Sequence, residues 1–184
     1  MKKQVLKTIS LLVVCIFVLG MASAAIAGHE IVGAPKCKGC HKKAAIGNQW
    51  AAWEGSKHAN AFATLATDEA KKIAADKGLG DPQKEEACLK CHVTQAFLGR
   101  DVVINAKAKY LDSEGVGCEV CHGAGSDYKK KKTMKDHDLA VAGGLIVEKT
   151  EESCTKCHNE ESPTFKAFNF EERWAEIEHA VPAE

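Results

Sequence analysis

The segment Gly115-Val116-Gly117-Cys118-Glu119-Val120-Cys121-His122-Gly123-Ala124-Gly125 holds the pattern that decides the fold. Two cysteines stand three positions apart, a histidine follows the second at once, and glycine-rich stretches that read as loops bracket the group. The same C-x-x-C-H pattern recurs at Cys37-Lys38-Gly39-Cys40-His41, Cys88-Leu89-Lys90-Cys91-His92 and Cys154-Thr155-Lys156-Cys157-His158. Composition alone predicts about 0.02 such motifs in 184 residues, so four are not accidental. The ninth cysteine, Cys15, lies apart in an N-terminal apolar run.

Two thiols at this spacing on one helical turn can each form a thioether to a porphyrin vinyl group, and the adjacent imidazole then lies under the ring to bind iron. Two four-cysteine zinc sites would also use paired C-x-x-C, but they do not require a histidine after every pair. Redox disulfides would need thioredoxin-like strand and helix patterns, which the sequence lacks. The motifs therefore read as four covalently bound haems c. Cys37, Cys40, Cys88, Cys91, Cys118, Cys121, Cys154 and Cys157 are the attachment points, with His41, His92, His122 and His158 as proximal iron ligands.

Outward from the motifs, the following intervals are 46, 25, 31 and 26 residues, too irregular for a repeat array and too short for separate domains. At the N-terminus, Lys2, Lys3 and Lys7 precede the apolar run Ile9 to Met21, and A-x-A-like sites follow at Ala22-Ser23-Ala24 and Ala25-Ile26-Ala27. This is the pattern of a secretory signal, residues 1–27, cleaved after Ala27 or alternatively after Ala24. A cleavage-like site follows the run in place of a charged stop, and no other apolar stretch is long enough for a bilayer, so no integral membrane segment is expected after cleavage. The expected localisation is exported, periplasmic or alternatively extracellular.

Removing 27 of 184 residues leaves a domain over 28–184 with about 39 residues per haem. So little chain cannot bury four macrocycles inside an ordinary core, so the haems themselves are expected to form it. The expected fold class is mainly α, with short helices and loops wrapped around a core of four haems. Loss of three signal lysines leaves 22 basic against 25 acidic residues. Nucleic acid is therefore not an expected partner: the one dense basic run, Lys129 to Lys132, lacks interleaved aromatics. That run reads either as a solvated loop or as a docking patch for an acidic redox partner.

Ala44 to Ala66 carries Trp50, Trp53, Phe62 and Leu65 and is the clearest helical region, with an expected break at Gly55-Ser56 and Ser56 as a new N-cap. A helix from Asp68 to Lys77 is expected, capped by Thr67 and stopped by Gly78 before the loop to Pro82. Asp101 to Asn105 reads as a short strand, and a last helix from near Asn169, with Glu172 completing a capping-box-like pair, is expected to end at Pro182.

Four histidines remain for the distal side of the irons: His29, His58, His137 and His179, with Met134 the single methionine outside the signal. The scarcity of methionine favours bis-histidine irons of low potential. On a helix capped by Ser56, His58 shares an apolar face with Phe62 and Leu65, although a carbonyl-bonded core histidine would look the same. His137 lies between Asp136 and Asp138, either of which could orient it, or it is a solvated loop residue. His179, near the end of the last helix, points about 180° from Phe170, so it faces another haem or solvent.

The motif order, the segment Ser56-Lys57-His58-Ala59-Asn60-Ala61-Phe62, the Gly115 to Gly125 stretch and the C-terminal helix bearing His179 together resemble the tetrahaem cytochrome c-554 family over most of Ile31 to Ala180. That family is known from ammonia-oxidising bacteria, where it accepts electrons from hydroxylamine oxidoreductase. The resemblance implies helical wrapping with closely stacked haem pairs. It implies His137 on the first haem, His179 on the third and His58 on the fourth, with no protein ligand on the distal side of the second. The C-terminal tail here is shorter, so the partner's identity does not carry over. The implied function is electron transfer between a redox protein donor and acceptor, not enzymatic turnover. Two alternatives stay open: a small-molecule reductase, for example of nitric oxide or hydroxylamine, at an open second iron, and a self-assembling subunit of an extracellular conducting filament. His29 is the residue that would close that iron, in its own chain or a neighbour's.

Overall fold

The structure, a computed structural model, describes residues 29–98, 103–108 and 113–179. The signal segment 1–27, Asp101, Val102 and Pro182 lie outside the described residues. In chain order the helices are α1 (Pro35–His41), α2 (Gln49–Glu54), α3 (Ala61–Thr64), α4 (Asp68–Asp76), α5 (Glu86–His92), α6 (Thr94–Leu98), α7 (Cys118–His122), α8 (Lys131–Met134), α9 (His137–Ala142), α10 (Glu151–Thr155) and α11 (Phe170–Ile177). A single 3₁₀ turn, Ala44–Ile46, joins α1 to α2. None of the described helices is long and apolar enough to cross a membrane.

Local chemistry sets the helix ends. The Thr67 hydroxyl accepts the Ala70 N–H at 3.2 Å, and Asp68 and Glu69 fill the first turn of α4. Its C-terminus closes as a Schellman motif, with Gly78 at φ +69°, Gly78 N–H donating to Ala75 O at 2.9 Å and Leu79 N–H to Ala74 O at 2.8 Å. Asn169 caps α11 through the Glu172 N–H at 3.3 Å, as its sequence indicates. That helix, however, stops at Ile177, because Glu178 turns extended at ψ 144° and its carboxylate accepts the Trp174 indole N–H at 3.1 Å. His179 therefore follows the helix, and the helical-wheel argument for its direction does not apply.

Two other expectations are corrected. The helix expected from Ser56 begins only at Ala61, and His58 sits on a preceding series of turns. Ser56 Oγ does accept the Ala59 N–H at 3.2 Å. The bonds that follow, Asn60 N–H to Lys57 O and Ala61 N–H to His58 O, each at 3.2 Å, are of the tighter i to i−3 kind. The His58 carbonyl is also taken by the Val116 N–H at 2.9 Å, which holds it out of an α-helical ladder. Of the strand expected over 101–105, the described residues 103–105 make only an isolated parallel bridge, between Ile31 and Ile104. It goes no further because the next N–H groups, those of Val32, Gly33 and Ala34, donate to the carboxylates of Glu119 and Glu114.

Eight apolar residues are buried among those described, and Ile31, Val32 and Ala34 of the N-terminal segment, with Ala140, are the most enclosed. With them are buried Thr94, Glu114 and Glu119. This polypeptide core is small for the chain's length, in keeping with a fold that wraps something other than itself. Segment 114–117 is its hub. Thr94 N–H donates to Gly115 O at 3.0 Å, the Trp53 indole N–H to Val116 O at 2.8 Å, and Gly117 N–H to Thr94 Oγ1 at 2.8 Å. Gly115, at φ +71°, has no room for a side chain: a Cβ would stand 2.5 Å from His58 O and 2.6 Å from Ala59 O.

Candidate haem sites

Each C-x-x-C-H motif closes on a helical turn. The first is α1, the second α5 and the third α7, while the fourth starts in α10 and ends just past it, with Cys157 and His158 N–H both donating to Cys154 O. None of the eight motif cysteines is taken up in a disulfide, so all are available to form thioethers. The thiols also bring the motifs together in pairs. Cys37 and Cys118 hydrogen-bond one another, which lowers the Cys37 thiol and, with burial, raises Cys118. Cys91 and Cys157 do the same, lowering Cys91 and raising Cys157. Burial, then the charge of Cys154, raises Cys121. First and third motifs thus adjoin, second and fourth adjoin, and third and fourth are linked.

Three proximal imidazoles have Nδ1 held by a fixed partner. His92 Nδ1 lies 2.7 Å from Ala61 O and His122 Nδ1 2.9 Å from Ile146 O. A carbonyl only accepts, so each Nδ1 carries the proton and Nε2 is left as a bare lone pair for a metal. His41 Nδ1 lies 3.1 Å from Gln49 Oε1, and the Gln49 amide donates to Ile46 O, which keeps its oxygen towards His41. His158 is oriented differently, stacked on Phe168 at 4.9 Å and 18°.

Two distal candidates face proximal rings. The His58 and His158 ring centroids are 6.1 Å apart, and those of His122 and His179 are 5.8 Å apart. Two imidazoles on opposite sides of one metal, each bonded at about 2 Å, have centroids on the order of 6 Å apart. The spacing therefore suits an iron between them. Burial, then the charge of His158, lowers the His58 pKa, and burial, then Arg173, lowers that of His158, which favours the neutral form a ligand must have.

The other two candidates are not paired in this way. His137 opens α9, is 70% exposed, and has Nδ1 3.2 Å from Asp138, while Asp136 caps the helix through the Leu139 N–H at 3.1 Å. No ring contact joins it to His41 among the described residues. His29 holds Asp127 at 2.9 Å, with its ring edge against Gly144, beside the 144–146 segment that orients His122. The structure thus places it by the third motif. Met134 ends α8.

Sequence reasoning missed Glu119, which occupies a variable position inside the third motif. It is fully buried and accepts the N–H groups of Val32 at 3.0 and 3.2 Å, Gly33 at 2.7 Å and Gly125 at 2.7 Å. Its carboxylate thereby ties the N-terminal segment that enters α1 to the third motif. Beside it, burial pushes the Glu114 carboxyl up to about 7, with the Glu119 charge adding to the rise. Nothing in a lone sequence marks either acid as buried.

A family profile described as cytochrome c554 and c-prime matches residues 36–123. Cytochrome c-554 of Nitrosomonas europaea is 32% identical over 165 residues, which make up 80% of this chain and 66% of that protein, so the chain spans just under two thirds of this relative's length. The structure of the reduced state of cytochrome c554 from Nitrosomonas europaea superposes with a TM-score of 0.56 at 23% identity, covering 82% of this chain and 84% of that one. That likeness is one of fold.

Proposed function

The chain belongs to the cytochrome c554 family, and from that membership we propose that it is an exported electron carrier, passing electrons between redox proteins outside the cytoplasm. Its cofactors are four covalently bound haems c, which supply reversible one-electron chemistry of iron. Residues 1–27 are read as the cleaved signal and 28–184 as the haem domain. The observation that carries the proposal is the adjacency of the motifs, first to third, third to fourth and fourth to second, which makes one connected series through the protein.

In this reading the chain's own groups hold and orient. The imidazoles of His41, His92, His122 and His158 bind from the proximal side, three of them aimed by Gln49, Ala61 and Ile146. His58 and His179 bind opposite His158 and His122, supported by the 6.1 and 5.8 Å ring separations. His137 is assigned to the first haem on resemblance. The second is left without a protein ligand on its distal side, again on resemblance. An acidic partner would dock on the lysines from Lys129 to Lys132 and on Lys135, which are exposed; among the described residues none of Lys130, Lys131, Lys132 and Lys135 is paired with a carboxylate.

An open second iron also favours a second reading, reduction of a small molecule such as nitric oxide. The test adds cyanide, then nitric oxide, to purified wild type and to His29→Ala. The carrier reading predicts ligand binding at one haem in both proteins, without catalytic turnover of nitric oxide. Sustained turnover makes it a reductase, and loss of a low-spin iron in His29→Ala returns that ligand to His29.

A further inference from the structure

Glu114 stands where the surroundings of three motifs meet. Its Oε2 accepts the Ala34 N–H at 2.9 Å, just ahead of α1 and the first motif. Its Oε1 lies 2.5 Å from where a Cβ on Gly117 would stand, one residue before Cys118 of the third motif. Near it is Thr94, two residues after His92 of the second motif. The residue is 7% exposed, and Oε1 is enclosed, with no backbone N–H on it and the Thr94 hydroxyl beside it as its one neighbouring donor. The Thr94 hydroxyl proton can turn to Gly115 O at 3.1 Å or to Glu114, while its oxygen accepts the Gly117 N–H at 2.8 Å. Glu119, in the same pocket, is the opposite case: both of its oxygens are saturated by backbone N–H groups.

This asymmetry has a chemical consequence. A proton arriving on Oε1 displaces at most the Thr94 hydroxyl, which has Gly115 O to turn to, because the Ala34 N–H stays on Oε2 in either state. Once protonated, the carboxyl gains a donor that can turn to the Thr94 oxygen. The groups facing it are the Glu119 carboxylate and the Cys118 sulfur from α7, the Thr94 hydroxyl from α6 and the Cys37 sulfur from α1; Lys129 is the cation that reaches this junction, through Cys37. Both sulfurs become uncharged thioethers on haem attachment, which leaves two carboxylates close together in a dry setting.

We propose that Glu114 is a proton-binding site coupled to electron uptake: when the iron of the adjoining first or third motif gains one electron, Glu114 takes one proton from solvent, and it returns that proton on reoxidation. One electron and one proton enter together, so the net charge of the junction is conserved. The electron comes from the redox donor of the carrier reading, on which this inference rests. Ferric iron favours the carboxylate and ferrous iron tolerates the acid, so the potential of the paired haem falls as pH rises through the titration of Glu114. Burial places that titration near neutrality, at about 7.

The experiment uses the holoprotein, by infrared redox-difference spectroscopy and by spectroelectrochemical titration across pH, for wild type and Glu114→Gln. On reduction of wild type, the carbonyl stretch of a protonated carboxylic acid is expected to appear and to shift in D₂O; in Glu114→Gln it is absent. One potential is expected to fall with pH in wild type, and in the variant to be flat at the higher value, because the amide is neutral like the acid. Full electron uptake by wild type without a carboxyl signal overturns the proton site and leaves the carrier standing, a result that needs no variant to fold. An unchanged pH dependence in Glu114→Gln overturns it equally. Failure of wild type to take up electrons reversibly overturns both readings.

Discussion

Glu119→Gln isolates the contact that joins the N-terminal segment to the third motif. The carboxylate receives three backbone N–H groups, with the shortest bond on each oxygen at 2.7 Å, from Gly125 on Oε1 and from Gly33 on Oε2. The glutamine side chain has the same shape but one acceptor fewer. Whichever way the amide turns, its NH₂ meets one of those N–H groups, and that donor is left buried and unsatisfied. A hydrogen bond to a charged group contributes about 1.5–3 kcal/mol, and the surviving bonds weaken as they become neutral. Relief of the carboxylate's own desolvation offsets part of this loss. The net expectation is a destabilisation of about 3 kcal/mol, roughly a hundredfold in the folded-to-unfolded ratio. Guanidinium unfolding of the holoprotein, followed by far-ultraviolet circular dichroism, measures it, with denaturing mass spectrometry verifying equal haem content. A variant within about 0.5 kcal/mol of wild type would refute the reasoning, because the N-terminal segment would then be held by something else.

His58→Ala should convert one low-spin haem to high spin while denaturing mass still finds four attached haems; an unchanged spectrum would mean that His58 binds no iron. Gly115→Ala should cost about 3 kcal/mol in the same unfolding assay, because φ of +71° strains an L-residue by about 1 kcal/mol and the methyl group meets two carbonyl oxygens. Reversing the charge of Lys130, Lys131 and Lys132 should slow reduction by an acidic flavodoxin about tenfold at low ionic strength and close the gap at high salt. A salt-independent rate in wild type would remove the lysine run from partner recognition.

What could be read from the sequence was whatever is written in neighbouring residues. The four motifs, the Thr67 cap and Gly78 stop of α4, and the Asn169 cap of α11 each depend on residues within a few positions of one another. Thioether spacing and helix capping are local chemistry, so they survive without a structure. The hub at 114–117 depends instead on contacts with Ala34, His58 and Thr94, far away in the chain. No periodicity announces such contacts, and the glycines that allow them look like ordinary loop residues. The same reason explains the errors. His58 leaves its expected helix because Val116 claims its carbonyl, and the expected strand shrinks to one bridge because two distant carboxylates claim the next N–H groups. The face of His179 failed for a local reason, since its helix ends two residues earlier.

In the proposed carrier, four haems on one chain exchange electrons, three of the irons held between histidines and the second left open. Its most direct test is a potentiometric titration of the purified holoprotein, monitored by optical and electron paramagnetic resonance spectra together. Reversible uptake of four electrons per chain is expected, three at low-spin irons with two imidazole ligands and one at a high-spin iron. Uptake of fewer than four electrons, or four low-spin irons with none able to bind an added ligand, would contradict it.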